Sequence, residues 1–255
     1  MIAQSQTKPR FVFFDLDGTL YDVVAAADAA LVMALERGCD LLGLDKQRIP
    51  TYRQRFWQEY FLLNEQTQIT EPAELLAVLF RRTLCLGRAE AEENYALGDR
   101  LARAWLDELM VNVKPFPQVS ELLDRLQKEG IGRGIISNDA GSWQRLKLAA
   151  LGLNDYFSEE NLFFSDERGL AKPETGIFRL ALESCGLTAS ETIFVGDSPV
   201  SDVPGALAVG LTVIWLNRYE LTPPNICDLP GRLLQAESFS QAAQLIKGLL
   251  VTSLS

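Results

Sequence analysis

No histidine occurs anywhere in the 255 residues. That absence removes Ser-His-Asp and Cys-His catalysis, His-Glu-x-x-His zinc sites and any histidine acid–base step. Cysteine is scarce too. Cys39, Cys85, Cys185 and Cys227 are far apart and form no Cys-x-x-Cys pair. They read as thiols of a reducing compartment rather than a disulfide framework, and the expected location is the cytoplasm. A bound metal would therefore be held mainly by oxygen, which favours Mg²⁺, Ca²⁺ or Mn²⁺. No apolar run approaches the ~18 residues of a membrane span, so no membrane association is expected. Met1 to Arg10 has no apolar h-region, so no signal peptide is expected either. Positive charge is in deficit, with 24 Lys and Arg against 34 Asp and Glu, a formal net charge of −10. An acidic chain without a basic tract repels phosphate backbones, which argues against nucleic acid as a partner. No Gly-x-x-x-x-Gly-Lys-Ser/Thr loop is present.

What is present is an ordinary globular composition, 47% hydrophobic and 23% charged, enough for one sizeable core and a second small domain. The stretch Phe11-Val-Phe-Phe-Asp15-Leu-Asp17-Gly-Thr19-Leu20 organises the chain. Its apolar start predicts a short strand buried on both faces. Two carboxylates, a glycine and a hydroxyl follow at the carboxyl end, where open α/β sheets place ligands. Taken alone, Asp-x-Asp-Gly also fits a solvated turn.

Residues 22–113 then show no strand pattern. Helices are expected over Asp22–Arg37, with Gly38 as a stop, and over Arg53–Leu63, Glu71–Cys85 and Glu90–Met110. The aromatic run Phe56, Trp57, Tyr60, Phe61 reads as a packed helix face, with Arg53 and Arg55 beside it as recognition candidates. Pro115 and Pro117 close this all-helical insert.

From there strands and helices alternate. A helix around Val119–Leu126 is followed by Gly130 as its cap and a strand over Ile131–Ile136. Ser142 is expected to cap a helix to Ala150. Leu162–Phe164 is a strand, and Pro173 opens a helix to Cys185. Thr188-x-x-Glu191 resembles a capping box. Strand Thr192–Val195, helix Ser201–Val209, strand Thr212–Leu216, edge strand Leu233–Gln235 and helix Ser240–Leu249 complete the set. Gly130-x-Gly132-x-Gly134 precedes a strand, whereas a dinucleotide loop follows one, so it reads as a helix cap and tight strand entry. The expected fold class is α/β, a doubly wound parallel sheet from residues 1–21 and 114–255, with an all-helical domain from 22–113 inserted after the first strand.

Four strand ends carry polar groups: Asp15 and Asp17, Ser137 and Asn138, the Lys172-Pro173 turn, and Asp197 with Asp202. On one edge of a parallel sheet they converge. Crowded carboxylates repel unless a cation sits among them, and with no histidine Mg²⁺ is the natural choice. Lys172 and Ser137 add a fixed charge and a donor, a set suited to a phosphoryl group, and an exposed carboxylate can act as nucleophile. Each residue has a plainer reading as well. Lys172 alone would be a solvated helix-start lysine, Asp202 a helix N-terminal carboxylate, and Ser198 a turn residue.

The segments Asp15-Leu-Asp17-Gly-Thr19, Ile136-Ser137-Asn138, Gly169-Leu-Ala-Lys172-Pro173 and Gly196-Asp197-Ser198-x-x-x-Asp202 resemble, in order, the four motifs of the haloacid dehalogenase-like hydrolase superfamily. The helical insert resembles its C1 cap, as in the phosphoglycolate phosphatase-like branch. The resemblance implies Asp15 as nucleophile and Mg²⁺ ligand. It implies Asp17 as general acid/base and a metal ligand through its backbone carbonyl, with Thr19 orienting Asp17. Ser137 would hold a phosphoryl oxygen and Asn138 would shape that loop. Lys172 would neutralise charge between Asp15 and the phosphoryl group. Asp197 would ligate Mg²⁺, and Asp202 would position Lys172 or a metal-bound water.

The implied activity is hydrolysis of a small phosphorylated metabolite by a monomer or homodimer. Phosphoglycolate, sugar phosphates and nucleoside monophosphates all fit. Two positions depart from the family pattern, Gln118 and Asp139, where glycine is frequent. Other chemistries remain open beside this one. The dehalogenase branch lacks the second aspartate, mutases depend on a cap histidine, and phosphonate hydrolysis needs a cap lysine, for which Lys46 is the sole choice between 21 and 113. A phospho-accepting module or a non-catalytic homologue would need neither the insert nor all four motifs.

Overall fold

A computed structural model describes residues 8–66, 72–84, 92–226 and 228–251. Cys85, Cys227 and the expected helix ends at Glu71, Cys85 and Glu90 lie outside the described residues. The chain divides into two compact units, Met1–Asp22 with Lys114–Ser255, and Val23–Val113.

The first strand, β1 (Phe11–Phe14), is buried along its whole length. The second unit follows, built from α1 (Val23–Leu42), α2 (Ile49–Gln66), α3 (Pro72–Thr83) and α4 (Glu92–Asn112). Its core joins Leu31 and Leu35 to Tyr52, Phe56, Leu79, Phe80 and Leu101, with Trp57 and Tyr60 packed against it as expected, while the Phe61 side chain lies outside the described residues. Gly38 does not stop α1. It is buried within the helix, where an added Cβ would lie 3.0 Å from a Leu84 methyl and 3.2 Å from a Leu101 methyl. The missing side chain lets neighbouring side chains approach, and Gly43, at φ +63°, stands after the helix instead.

The remaining elements are α5 (Val119–Lys128), β2 (Gly132–Ser137), α6 (Gly141–Ala150), β3 (Leu162–Phe164), α7 (Ser165–Arg168), α8 (Thr175–Ser184), β4 (Thr192–Gly196), α9 (Val203–Ala208), β5 (Thr212–Leu216), β6 (Arg232–Ala236) and α10 (Phe239–Val251). The strands form one six-stranded sheet in the order β3-β2-β1-β4-β5-β6, and every pairing is parallel. Helices α8 and α9 cover one face, where Phe13, Phe194 and Trp215 meet Phe178 and Leu207. Helices α5 and α10 pack against β2, β5 and β6 from the other side. With both faces covered, the central strands need no polar alternation, which explains their continuous apolar runs. None of the described helices is long and apolar enough to cross a membrane.

Two glycines of the Gly130–Gly134 run have a packing role rather than that of a tight strand entry. Gly132 and Gly134 lie inside β2 directly opposite Phe11 and Phe13. A Cβ at either position would overlap those rings. Gly130, at φ +69°, caps the preceding helix as expected. Gln118 sits at φ +70°, a left-handed backbone that favours glycine, just before α5.

Two helix starts differ from expectation. Ser142 does not cap α6, whose Gly141 amide donates to Asp166 Oδ1 at 2.9 Å. Helix α8 begins at Thr175, two residues past Pro173, which follows a cis peptide in the turn. Thr188 and Glu191 do form a reciprocal capping box.

The chain runs outward from β1 to β3, then crosses to the other side of β1 to begin β4. The strand order therefore reverses between β1 and β4, the point at whose carboxyl ends open parallel sheets bind ligands. Asp15 and Asp197 follow those two ends directly.

Candidate active site

Asp15 extends β1 by one more ladder bond, its amide donating to Val195 O at 2.8 Å. Its carboxylate is buried and held from two sides. Lys172 Nζ donates to Oδ1 at 2.6 Å, and Thr19 Oγ1 donates to Oδ2 at 3.1 Å. Thr19 thus orients Asp15. It does not hold Asp17, as the sequence resemblance implied.

Lys172 also donates to Asp202 Oδ1 at 2.7 Å. Asp202 accepts from the Ser198 amide through its other oxygen, at 2.9 Å. Its carboxylate therefore turns to Lys172 instead of capping α9, which it precedes. The Lys172 loop is pinned reciprocally to Asn138. Asn138 Nδ2 donates to Lys172 O at 2.7 Å, and the Lys172 amide donates to Asn138 Oδ1 at 2.8 Å. Asn138 shapes the loop, as the resemblance implied. Both ends of its side-chain amide bond the Lys172 backbone.

Asp197 completes the cluster. Carboxylate oxygens of Asp15, Asp197 and Asp202 lie within 4.8 Å of one another. Gly18 makes this approach possible. It stands at φ +84°, and a Cβ there would overlap the Asp197 carboxylate. Trp215 Nε1 fixes the following turn by donating to Asp197 O at 2.9 Å. Arg218, stacked over Phe116, pairs with Asp22 at 3.0 Å.

Lys172 pairs directly with Asp15 and Asp202, and Asp197 lies beside them. Burial and the neighbouring Asp15 and Asp202 charges push the Asp197 carboxyl up to about 8. Burial likewise raises Asp15 to about 6, against the pull of Lys172. Lys172 is held charged, because Asp15 and Asp202 outweigh the burial that opposes its charge. When all three carboxylates are ionised, two negative charges remain unbalanced. An oxygen-only, doubly negative cluster fits a hard divalent cation. Asp15 and Asp197 directly follow the ends of β1 and β4 at the switch point, which makes them the better-placed ligands.

Asp17 lies outside this carboxylate cluster, in a network that the motif reading missed. Lys147 Nζ donates to both Asp17 oxygens at 2.9 Å, and Gln144 Nε2 donates to Oδ2 at 2.8 Å. Tyr21 adds a hydroxyl bond to Oδ1. Burial alone would raise the Asp17 carboxyl, but Lys147, Tyr21 and Gln144 overcome it and hold it below the ordinary range. Lys147 also pairs with Asp139 at 3.0 Å, and Gln144 Nε2 donates to Ser137 Oγ at 2.9 Å. Asp139, the departure from glycine, thus binds within the protein. A signal for this network existed in α6. Gln144 and Lys147 occupy buried stripe positions with Leu148 and Leu151, where an amphipathic helix normally presents apolar side chains.

A sequence profile described as "haloacid dehalogenase-like hydrolase" matches residues 9–210. The chain belongs to this family. It is 33% identical over 212 residues to a ribulose-1,5-bisphosphate 5-phosphatase of Halopiger xanaduensis, covering 82% of this chain and 85% of that protein. It is 30% identical over 212 residues to a phosphoglycolate phosphatase of Rhodospirillum rubrum, covering 82% and 80%. The crystal structure of a HAD-hydrolase, YfnB from Bacillus subtilis bound to magnesium, superposes with a TM-score of 0.67 at 22% identity. That match covers 94% of this chain and 99% of that one. It shows that the haloacid dehalogenase-like fold extends through the helical insert. Within the family motifs, the four polar strand-end segments meet at one edge of the sheet.

Proposed function

We propose that this chain is a Mg²⁺-dependent phosphatase. It hydrolyses a small phosphate monoester through an aspartyl phosphate on Asp15, with Asp17 as general acid and base. The observation that carries this reading is the buried Asp15 carboxylate, held by Lys172 and Thr19 beside two further carboxylates at the sheet's switch point. The phosphatases among its relatives support it, as does the presence of Asp17, which dehalogenase chemistry does not require.

Asp15 Oδ attacks phosphorus while the ester P–O bond breaks, and Asp17 gives its proton to the leaving oxygen. A water molecule then attacks the phosphorus of the aspartyl phosphate. Asp17 takes a proton from that water, the P–O bond to Asp15 breaks, and phosphate leaves. Lys172 balances charge between Asp15 and the phosphoryl oxygens, and the Ser137 hydroxyl donates to one of them. Mg²⁺, when bound by the Asp15 and Asp197 carboxylates and the Asp17 backbone carbonyl, supplies electrostatic stabilisation of the transferring group.

In the resting site Lys147 and Gln144 hold Asp17 as an anion. That is the state the second step needs. The first step needs Asp17 protonated, so it carries the cost of the proton and favours good leaving groups. The net charge of −10 fits a small metabolite as substrate better than a nucleic acid.

The test is a panel of small phosphate esters assayed with Mg²⁺, after exhaustive EDTA, and after Mg²⁺ return. The expected result is reversible silencing by the chelator, with a phosphoryl adduct on Asp15 by intact-protein mass. Full activity without divalent cation would sink the metal-dependent reading.

A further inference from the structure

Gln144 and Lys147 stand one helical turn apart on α6, and both are buried against the polar edge of the sheet. Burying an amide and an ammonium where leucines would pack calls for a purpose. The Gln144 amide uses its two N–H donors on two different groups, Ser137 Oγ at 2.9 Å and Asp17 Oδ2 at 2.8 Å. Its own carbonyl oxygen is buried with no hydrogen-bond partner. The amide is therefore not oriented to satisfy itself. Flipping it would set a carbonyl oxygen against the Asp17 carboxylate, so the acceptor-only anion fixes which end faces inward.

Ser137 is constrained in turn. A hydroxyl carries one donor and two acceptor lone pairs. Gln144 occupies an acceptor lone pair of Ser137, and the hydroxyl proton stays available to a phosphoryl oxygen. Lys147 has the complementary position. It grips both oxygens of Asp17 at 2.9 Å and is itself anchored on Asp139 at 3.0 Å. The carboxylate is thus clamped through both oxygens by a side chain that is itself tied down.

We infer that Gln144 and Lys147 are paired positioning residues: Gln144 sets the polarity of the Ser137 hydroxyl toward the phosphoryl group, and Lys147 fixes the direction of the Asp17 carboxylate. This rests on the phosphatase reading above. Gln144 bonds both Ser137 and Asp17, whereas Lys147 bonds Asp17 and not Ser137, so the two are separated by phosphate binding rather than by kcat. Phosphoryl binding depends on Ser137, so Gln144 acts on KM and on inhibition by inorganic phosphate. Proton transfer depends on Asp17, so Lys147 and Gln144 both act on kcat.

The experiment compares wild type, Gln144→Met, Lys147→Met and Lys147→Arg with Mg²⁺ on p-nitrophenyl phosphate and on a simple alkyl phosphate. Inorganic phosphate serves as a competitive probe. Gln144→Met is expected to raise KM and the phosphate inhibition constant together by roughly tenfold on both esters, the scale of one lost hydrogen bond to a charged group. Lys147→Met is expected to lower kcat with KM little changed, more on the alkyl ester, whose leaving group needs a proton, than on the nitrophenyl ester. Lys147→Arg keeps the charge and recovers much of the loss. Should Gln144→Met fail to fold, Gln144→Asn carries the same expectation, since it keeps a buried amide but withdraws it by one methylene.

An active wild type whose Gln144 variants keep the normal phosphate inhibition constant would overturn the Gln144 role. Lys147→Met with an equal loss on both esters, unrelieved by Arg, would overturn the Lys147 role. A wild type inactive on every ester would overturn the phosphatase reading and this inference together.

Discussion

Lys172→Met isolates what one buried cation does for three carboxylates. The ammonium lies 2.6 Å from Asp15 and 2.7 Å from Asp202, and its side chain is 2% exposed. Methionine keeps much of the stem and removes the ammonium, which lies 5.8 Å from the centre of the Phe194 ring. Removing one partner from a buried ion pair typically costs ~3–5 kcal/mol. For a chain of this size that corresponds to a melting point about 10 °C lower at pH 8.

The cost is pH-dependent, and its sign follows from the raised carboxyls. Asp15 titrates near 6 and Asp197 near 8 in the folded protein, against 3.8 for a free aspartate side chain. Between those limits the folded state binds more protons than the unfolded chain, so stability falls as pH rises. Lys172 is the strongest influence lowering Asp15, so its removal extends that falling window upward. The gap between variant and wild type should therefore be small at pH 5 and widen through pH 8. Added Mg²⁺ should raise the variant's melting point more than the wild type's at pH 8, because it replaces a missing positive charge. The assay is thermal unfolding followed by circular dichroism at three pH values, in EDTA and in Mg²⁺. A gap of equal size at pH 5 and pH 8, indifferent to Mg²⁺, would refute the electrostatic account and leave only packing of the stem.

Other outcomes follow from the same geometry. Asp15→Asn should abolish turnover with the fold intact, and retained turnover would mean that water attacks phosphorus directly. Asp17→Asn should release a burst of nitrophenolate and then stall as phosphoenzyme, because a positioned base typically supplies ~10²–10⁴ in rate to the second step; rapid mixing with intact-mass detection checks this. Gly18→Ala places a Cβ against the Asp197 carboxylate at an unfavourable φ, so it should weaken Mg²⁺ activation and cost about 1–2 kcal/mol from the backbone alone; Mg²⁺ titration of activity and urea unfolding measure the two. Arg53 pairs with Asp28 of α1 at 2.5 Å on an exposed edge of the insert. Arg53→Ala should alter the ranking of esters more than hydrolysis of p-nitrophenyl phosphate, and equal losses on all esters would assign it to folding of the insert.

Local chemistry made much of this protein legible from its residues alone. Apolar runs ending in Asp, Ser or Gly marked β1, β2 and β4, because a strand buried on both faces has no other pattern. Alternation with helices implied a parallel sheet, and the edge of that sheet brought Asp15, Ser137, Lys172 and Asp197 together. The absence of histidine restricted any metal to oxygen ligands. Other features depended on contacts between distant segments, which periodicity does not encode. Gly38 reads as a helix stop in sequence, yet it is a close-packing position against Leu84 and Leu101. Gly132 and Gly134 read as a tight entry, yet they make room for Phe11 and Phe13 across the ladder. Thr19 is two residues from Asp17 in the chain, but the turn at Gly18 aims its hydroxyl at Asp15. Beside Tyr21, the partners of Asp17 come from a helix more than a hundred residues away. Lys147 and Gln144 fall on the apolar stripe of that helix, but the stripe alone does not say what they are buried against. Only burial against the sheet edge turns a lysine and an amide into groups that orient a carboxylate and a hydroxyl.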